Sequence, residues 1–261
     1  VQEMFTMGAL GHAVAKRTGC PLVETVHTQW DMLFKHYPTT VLAAAVGIGI
    51  GFPIYFGFRN TLPIYLLEHG DEKSALSRQF GRNLVVFANE CDLVIAPSQH
   101  VLDKLKRFRC KTETVHIPNA INITPITPTV TLPATSPDAI KVVCVGRVSR
   151  EKRTAVLIEA FLRLPKTSKM ELFIIGDGPD LDRCQELVES AHSEPKVHFM
   201  GNTPNSQTRE LLMDADVMAL VSYRFDNQPM VILEALAAGV GILYCDDQLQ
   251  DGLTPDNALL V

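Results

Sequence analysis

The sequence predicts an α/β protein made of parallel, doubly wound sheet in two units. Three observations carry that prediction. Short apolar runs of strand length alternate with amphipathic stretches of helix length along the whole chain. A stretch rich in proline and threonine, 124–137, with prolines at 125, 128, 133 and 137, divides the alternation in two. Beyond it, strands end in glycine-rich or charged turns, at the end where open α/β sheets hold their ligands. The expected partition is a first domain at 1–123, a linker at 124–137 and a second domain at 138–261.

Composition narrows the function classes. The 261 residues are 46% hydrophobic and 20% charged, ordinary for a globular chain. A net charge of −5 argues against nucleic acid as the partner. The six cysteines are scattered and form no C-x-x-C pair, so they read as reduced core residues of a cytosolic protein and not as a zinc site. The chain opens without a signal peptide, and both ends look cut, so a fragment of a longer protein is expected.

In chain order, Phe5–Thr18 reads as a helix stopped by Gly19. Pro21–Val26 reads as a buried strand that delivers His27 to its carboxyl end, where it is either a site residue or a loop histidine bonded to backbone. The uncharged segment 41–58 has the length of a marginal membrane span. Its glycines and Pro53 weaken a helix, and a span would separate strands that look like sheet neighbours, so a buried or interfacial hairpin is expected. Ala75–Cys91 reads as a helix and Leu93–Ala96 as a strand. Ser98 is placed to cap the next helix, whose far end carries Lys104, Lys106, Arg107 and Arg109. Those cations suit either a solvated helix end or an anionic lipid surface. Thr112–Ile117 is the next strand.

After the linker, Ile140–Val145 reads as a strand, Glu151–Leu164 as a helix, Glu171–Ile175 as a strand and the run from Pro179 to about His192 as a helix. Val197–Met200 is a strand, Arg209–Met213 a short helix and Asp216–Val221 a strand. The stretch from Asp226 to Gly239 then turns a loop into a helix. Pro229 suits the first helical position, Asp226 or Asn227 the cap and Gly239 the stop. The amides of Met230 and Val231 would be unpaired at the positive end of the helix dipole, which makes an anion site. Glu234 would lie roughly 6 Å further along. A phosphate between two carboxylates makes sense if the carboxylates hold sugar or ribose hydroxyls. The competing reading is an amphipathic helix with a capping Asp. Val240–Cys245 and Ala258–Val261 close the series as strands.

Arg147 and Lys152 strengthen the ligand reading. Two cations beside a helix start stand where the dipole disfavours them, and their spacing suits a diphosphate. The competing reading is a surface pair.

Gly146-Arg147 with Lys152, Gly176-Asp177-Gly178-Pro179, Phe199-Met200-Gly201, Asp214-Ala215-Asp216-Val217 and Asp226-x7-Glu234-Ala-Leu-Ala-Ala-Gly stand in the order and spacing of the family 4 retaining glycosyltransferases, which the chain resembles. The resemblance covers 138–261 and extends more loosely through His27-Thr28 and Ile117-Pro118-Asn119. It implies the GT-B architecture, two Rossmann-like domains facing a cleft, both incomplete in this chain. It implies that Arg147 and Lys152 hold the donor diphosphate and that backbone near Asn202 and Thr203 borders the base. Glu234 would take the ribose hydroxyls and Asp226 those of the hexose. The amides from Asn227 to Met230 would meet the hexose and the β-phosphate, with His27 near the reacting sugar.

Asp226-Asn227-Gln228, His27-Thr28-Gln29-Trp30-Asp31 and His36-Tyr37 look like bacterial diacylglycerol glucosyltransferases, and the apolar 41–58 segment fits a lipid acceptor. Two residues depart from the pattern: Asp226 stands where Glu is usual, and Gly241 where Pro is usual. The implied reaction is retaining hexosyl transfer from a UDP-glucose-like donor to a membrane lipid, without a metal or other cofactor, at the inner face of the membrane. Asp180-x-Asp182 and Asp214-x-Asp216 look like metal motifs but fit as helix and strand-edge residues. The fragment alone is expected to be inactive. Rival readings are a soluble transferase acting on a polysaccharide or small molecule, and a non-catalytic nucleotide-sugar-binding or membrane scaffold protein.

Overall fold

The structure, a computed structural model, describes residues 6–27, 84–123, 125–165, 167–191 and 196–261. The apolar segment 41–58, most of the helix expected at 75–91, and the residues from Thr28 to Tyr37 lie outside the described residues. The chain divides into two units, one made of 1–119 with Phe225–Gln228, the other of Ala120–Arg224 with Pro229–Val261.

The first unit holds a three-stranded parallel sheet, β1 (Val23–Thr25), β2 (Leu93–Ala96) and β3 (Thr114–His116), in that order. Helix α1 (Thr6–Thr18) ends at Gly19, whose φ of 72° is the left-handed stop the sequence predicts. Helix α2 (Gln99–Arg107) follows β2. Val94, Phe87, Val101 and Leu105 form the core between them. Ser98 stands at the cap position of α2, but its hydroxyl meets Nδ1 of His100 at 3.1 Å and makes no backbone cap bond.

The second unit is a six-stranded parallel sheet: β4 (Ile140–Val145), β5 (Met170–Ile175), β6 (Val197–Gly201), β7 (Val217–Leu220), β8 (Gly241–Tyr244) and β9 (Ala258–Leu260). The strand order is β6-β5-β4-β7-β8-β9, every pair parallel. The order runs outward in both directions from the β4–β7 pair, which is therefore the switch point of the sheet. Alternation along β5 sorts the core onto two faces. Phe173 and Ile175 join α5 (Asn205–Met213) and α6 (Met230–Ala238), whereas Leu172 and Ile174 join α3 (Thr154–Phe161) and α4 (Leu181–Ser190).

Four local expectations are corrected. The helix predicted at Glu151–Leu164 is a 3-10 turn, Arg150–Lys152, and then α3, separated by Arg153 at φ 57°. Helix α5 begins four residues earlier than the apolar pattern indicates, directly after Pro204. Pro229 is the cap residue of α6 with ψ 129°, not its first helical residue, so neither Asp226 nor Asn227 caps that helix. Of the cysteines, Cys20 is exposed and so is not a core residue; all six are free thiols.

The proline-rich stretch carries no helix or strand from 125 to 139. Carboxylates of the second unit hold it in place. Glu210 accepts the amides of Thr129 and Val130, Asp214 accepts the amide of Leu132 at 2.7 Å, and Glu171 accepts Thr135.

Candidate active site

The second unit builds a cleft at the carboxyl ends of β4, β5 and β6. Gly146 leaves β4 and Gly176 leaves β5, and the two turns lie backbone on backbone. A Cβ at Gly176 would stand 2.0 Å from the Gly146 carbonyl oxygen, and one at Gly178 would stand 2.3 Å from that of Val148. The backbone ladder continues through the turns. Gly146 donates to Ile175, Val148 to Asp177, and Gly176 to Gly201, all at 2.8–3.0 Å. This close approach opens a cleft of about 370 Å³, into which Arg147, Gly176, Asp177, Asn202 and Thr203 converge.

Arg147 is exposed and has no carboxylate partner among the described residues. Its charge is therefore available to a ligand. Lys152 closes the 3-10 turn, its amide bonded to the Ser149 carbonyl at 3.0 Å, and is not among the residues that line the cleft. The turn is set from below: the Ser149 hydroxyl donates to the buried Glu151 carboxylate at 2.6 Å.

At the switch point β7 leads into α6. The first intrahelical bond there runs from the Ile232 amide to the Pro229 carbonyl. The amides of Met230 and Val231 thus open the helix without an acceptor among the described residues, as an anion site requires. Glu234, one turn on and half-buried, accepts the side-chain amide of Asn205 on Oε1 at 3.1 Å.

Phe225–Gln228 packs with the first unit. Asn227 is buried and donates Nδ2 to the Val26 carbonyl at 3.0 Å, next to the exposed His27, while its own buried Oδ1 has no hydrogen-bond partner among the described residues. Gln228 accepts the Asn119 amide on Oε1 at 2.6 Å and the Asn119 side chain on its carbonyl at 3.2 Å. Asp226 is half-buried. So the structure brings Arg147 and Thr203 into one cleft and ties the loop that bears Asp226 to the segment after β1 that bears His27. Sequence reasoning gave Asn205, Thr208 and Asn119 no role. Asn205 and Thr208 lie in the first turn of α5, which has no apolar pattern to reveal it.

The acidic triplets are engaged in structure. Asp180 stands at the cap of α4 within 3.8 Å of Arg150 and 3.6 Å of Arg183. Asp214 pairs with Lys141 at 2.7 Å, and Asp216 accepts the Lys141 amide at 2.7 Å. No group of three side chains able to hold a metal occurs among the described residues.

A cation on the first sheet turn and a glycine cradle share the cleft, and a helix whose leading amides have no acceptor among the described residues starts at the switch point. The family model for Glycosyltransferase Family 4 matches residues 1–124, and that for Glycosyl transferases group 1 matches 133–250. This chain belongs to the family 4 glycosyltransferases.

Among curated relatives it is 26% identical to the alpha-monoglucosyldiacylglycerol synthase of Acholeplasma laidlawii, over 98% of this chain and 60% of that protein. It is 25% identical to the enzyme of the same name from Streptococcus pneumoniae, over 98% of this chain and 53% of that one. The chain therefore spans a little over half the length of these relatives. Among solved structures it is similar to sucrose-phosphate synthase from Thermosynechococcus elongatus, with TM-score 0.68 and 20% identity over 97% of this chain and 58% of that one. It is also similar to Anabaena HepE in complex with UDP, with TM-score 0.64 and 17% identity over 97% of this chain and 62% of that one. These likenesses establish the GT-B fold for this family 4 glycosyltransferase.

Proposed function

We propose that the protein containing this chain is a retaining hexosyltransferase that moves a hexosyl group from a UDP-sugar to a hydroxyl of a membrane lipid. The observation that carries the reading is the cleft at the carboxyl ends of β4, β5 and β6, where Arg147, which has no carboxylate partner among the described residues, faces a glycine cradle and the Asn202–Thr203 corner. The relatives named above supply the acceptor class, because the two that align with nearly the whole chain carry the name of a diacylglycerol glycosylating enzyme. HepE, crystallised with UDP, supports uridine in the donor.

In this reading the anomeric carbon loses its bond to the phosphate oxygen and gains one to the acceptor oxygen on the same face of the sugar. The acceptor's proton passes to the departing phosphate. Arg147, Lys152 and the amides at the start of α6 stabilise charge that grows on the leaving diphosphate, the logic of an oxyanion hole. Asp226 and the amides from Asn227 to Met230 hold the hexose, Glu234 the ribose, Thr203 the edge of the base, and His27 lies beside the reacting carbon. The protein works at the inner face of the cytoplasmic membrane as a peripheral enzyme. No helix among the described residues is long and apolar enough to cross a membrane.

The test is mass-spectrometric product analysis of the full-length protein with a panel of nucleotide sugars and membrane lipids. A glycolipid formed from a UDP-hexose, and lost in Arg147→Ala, is the expected result. Transfer to a soluble saccharide alone would replace the lipid acceptor, and no transfer with any pair would overturn the reading.

A further inference from the structure

The contact between Asn205 and Glu234 has no evident structural purpose. Asn205 is the first residue of α5 and is exposed, and Glu234 is a half-buried residue of α6. They are 29 positions apart, and the Asn205 side-chain amide donates to Oε1 of Glu234 at 3.1 Å. The cap position of α5 belongs to Pro204, so the Asn205 side chain is not spent on capping. A solvent-exposed side-chain hydrogen bond adds little to stability. The packing of α5 on α6 rests instead on Leu211, Leu212, Ile232 and Ala235, all in one core cluster.

The location gives the contact a use. Asn205 follows the Asn202–Thr203 corner of the cleft by two residues. That corner is anchored by Thr208, whose amide bonds to the Pro204 carbonyl at 2.9 Å and whose hydroxyl faces the Thr203 and Pro204 carbonyls at 3.4 and 3.2 Å. A carboxylate has two oxygens and about four acceptor sites, whereas an amide NH2 can only donate. With Oε1 held by Asn205, Glu234 is fixed in one rotamer and keeps Oε2 for a pair of neighbouring hydroxyls. A freely rotating glutamate would have to be ordered by the ligand itself, at the cost of side-chain entropy.

We propose that Asn205 is a positioning residue that presets the Glu234 carboxylate to accept the ribose hydroxyls of the nucleotide donor. The inference rests on the assignment of Glu234 to the ribose made above. It makes the corner after β6 serve two parts of the donor: its backbone borders the base, and the first side chain of α5 sets the ribose acceptor.

The experiment is calorimetric titration of the full-length protein with UDP, GDP and ADP and with their 2′,3′-dideoxy counterparts. The readout is the preference for the ribose form of whichever nucleotide binds. Glu234→Ala abolishes that preference. Asn205→Ala reduces it by roughly 3- to 10-fold, the worth of one hydrogen bond, and leaves the affinity for the dideoxy form unchanged. Asn205→Asp, which sets a like charge beside Glu234, reduces it at least as far. The double variant Asn205→Ala, Glu234→Ala behaves as Glu234→Ala alone. If Glu234→Ala keeps the preference, or if no nucleotide binds, the ribose assignment and the inference fall together. If Glu234→Ala removes it while Asn205→Ala does not, or Asn205→Ala weakens both forms equally, only the inference falls.

Discussion

Thr135 grips Glu171 twice: its hydroxyl donates to Oε1 at 2.7 Å and its backbone amide lies 3.0 Å from Oε2. Glu171 is fully buried in β5 and also meets His198 at 2.9 Å and Lys196 at 3.4 Å. The His198 ring stacks on Phe173 with centroids 4.6 Å apart, so the polar node is built into the sheet.

That node predicts an acid-labile second unit. Burial pushes the Glu171 carboxyl up, but the bonds from Thr135, then His198 and Lys196, outweigh it and bring its pKa from 4.5 down to about 2. A depressed acid stabilises the fold above its unfolded value, so the contribution is complete above about pH 4.5 and disappears as pH falls toward 2. Urea midpoints measured from pH 6 to pH 2 should fall through that window. Glu171→Gln should flatten the dependence and cost about 1–3 kcal/mol at neutral pH through lost charge-assisted bonds.

Glu24 predicts the opposite slope in the first unit. It is 2% exposed, and Oε2 has no hydrogen-bond partner among the described residues. Burial raises its pKa from 4.5 to about 8. A raised acid folds best when protonated, so its cost is absent below pH 4.5 and grows until pH 8. Hydrogen exchange of the β1–β3 amides should therefore speed up, beyond the intrinsic chemical rate, between those values. In Glu24→Gln it should not, and equal slopes in both proteins would refute the assignment.

Gly176→Ala should break the cleft. The added Cβ would overlap the Gly146 carbonyl oxygen, and Gly176 has φ 141°, which side chains rarely adopt. The expected cost is at least about 2 kcal/mol, with nucleotide binding lost. Gly239→Ala is the contrasting variant. A Cβ there meets nothing within 4 Å, so only the left-handed φ of 74° opposes it. That variant should lose about 1 kcal/mol and keep nucleotide affinity. Thermal denaturation and nucleotide titration of the two proteins side by side make the comparison.

Much of this architecture was legible because strand-length apolar runs in parallel sheet are buried on both faces. Leu93–Ala96 and Ile140–Val145 are strands over the span their apolar runs mark. The misses share a cause, since each depends on backbone state or distant contact and not on local apolar pattern. Ala155, Ile158 and Phe161 carry the helical period but all lie beyond Arg153, so the period leaves the start of the helix open, and nothing in an arginine signals a left-handed φ. The first turn of α5 is Asn205 to Thr208, polar throughout, so its start was invisible. The link from Asn205 to Glu234 spans 29 residues and requires the sheet order that sets α5 beside α6. By contrast, Arg147 was readable as a cleft residue because strand ends in an open sheet converge, and Thr203 came only through the family resemblance.

Arg147 separates function from stability most cleanly. It is exposed at the cleft and makes no ion pair among the described residues, so the fold gains little from its charge. Arg147→Ala should leave the unfolding midpoint within about 0.5 kcal/mol of the parent protein. In the full-length protein it should lower kcat/KM for the nucleotide sugar by roughly 10²- to 10³-fold, the loss expected when one preorganised charge stabiliser is removed from a transition state. Arg147→Lys should recover only part of that, because a point charge replaces a planar fork that can hold two phosphate oxygens at once. A variant that loses activity and stability together would mean that Arg147 serves the fold, and the diphosphate would then need another cation.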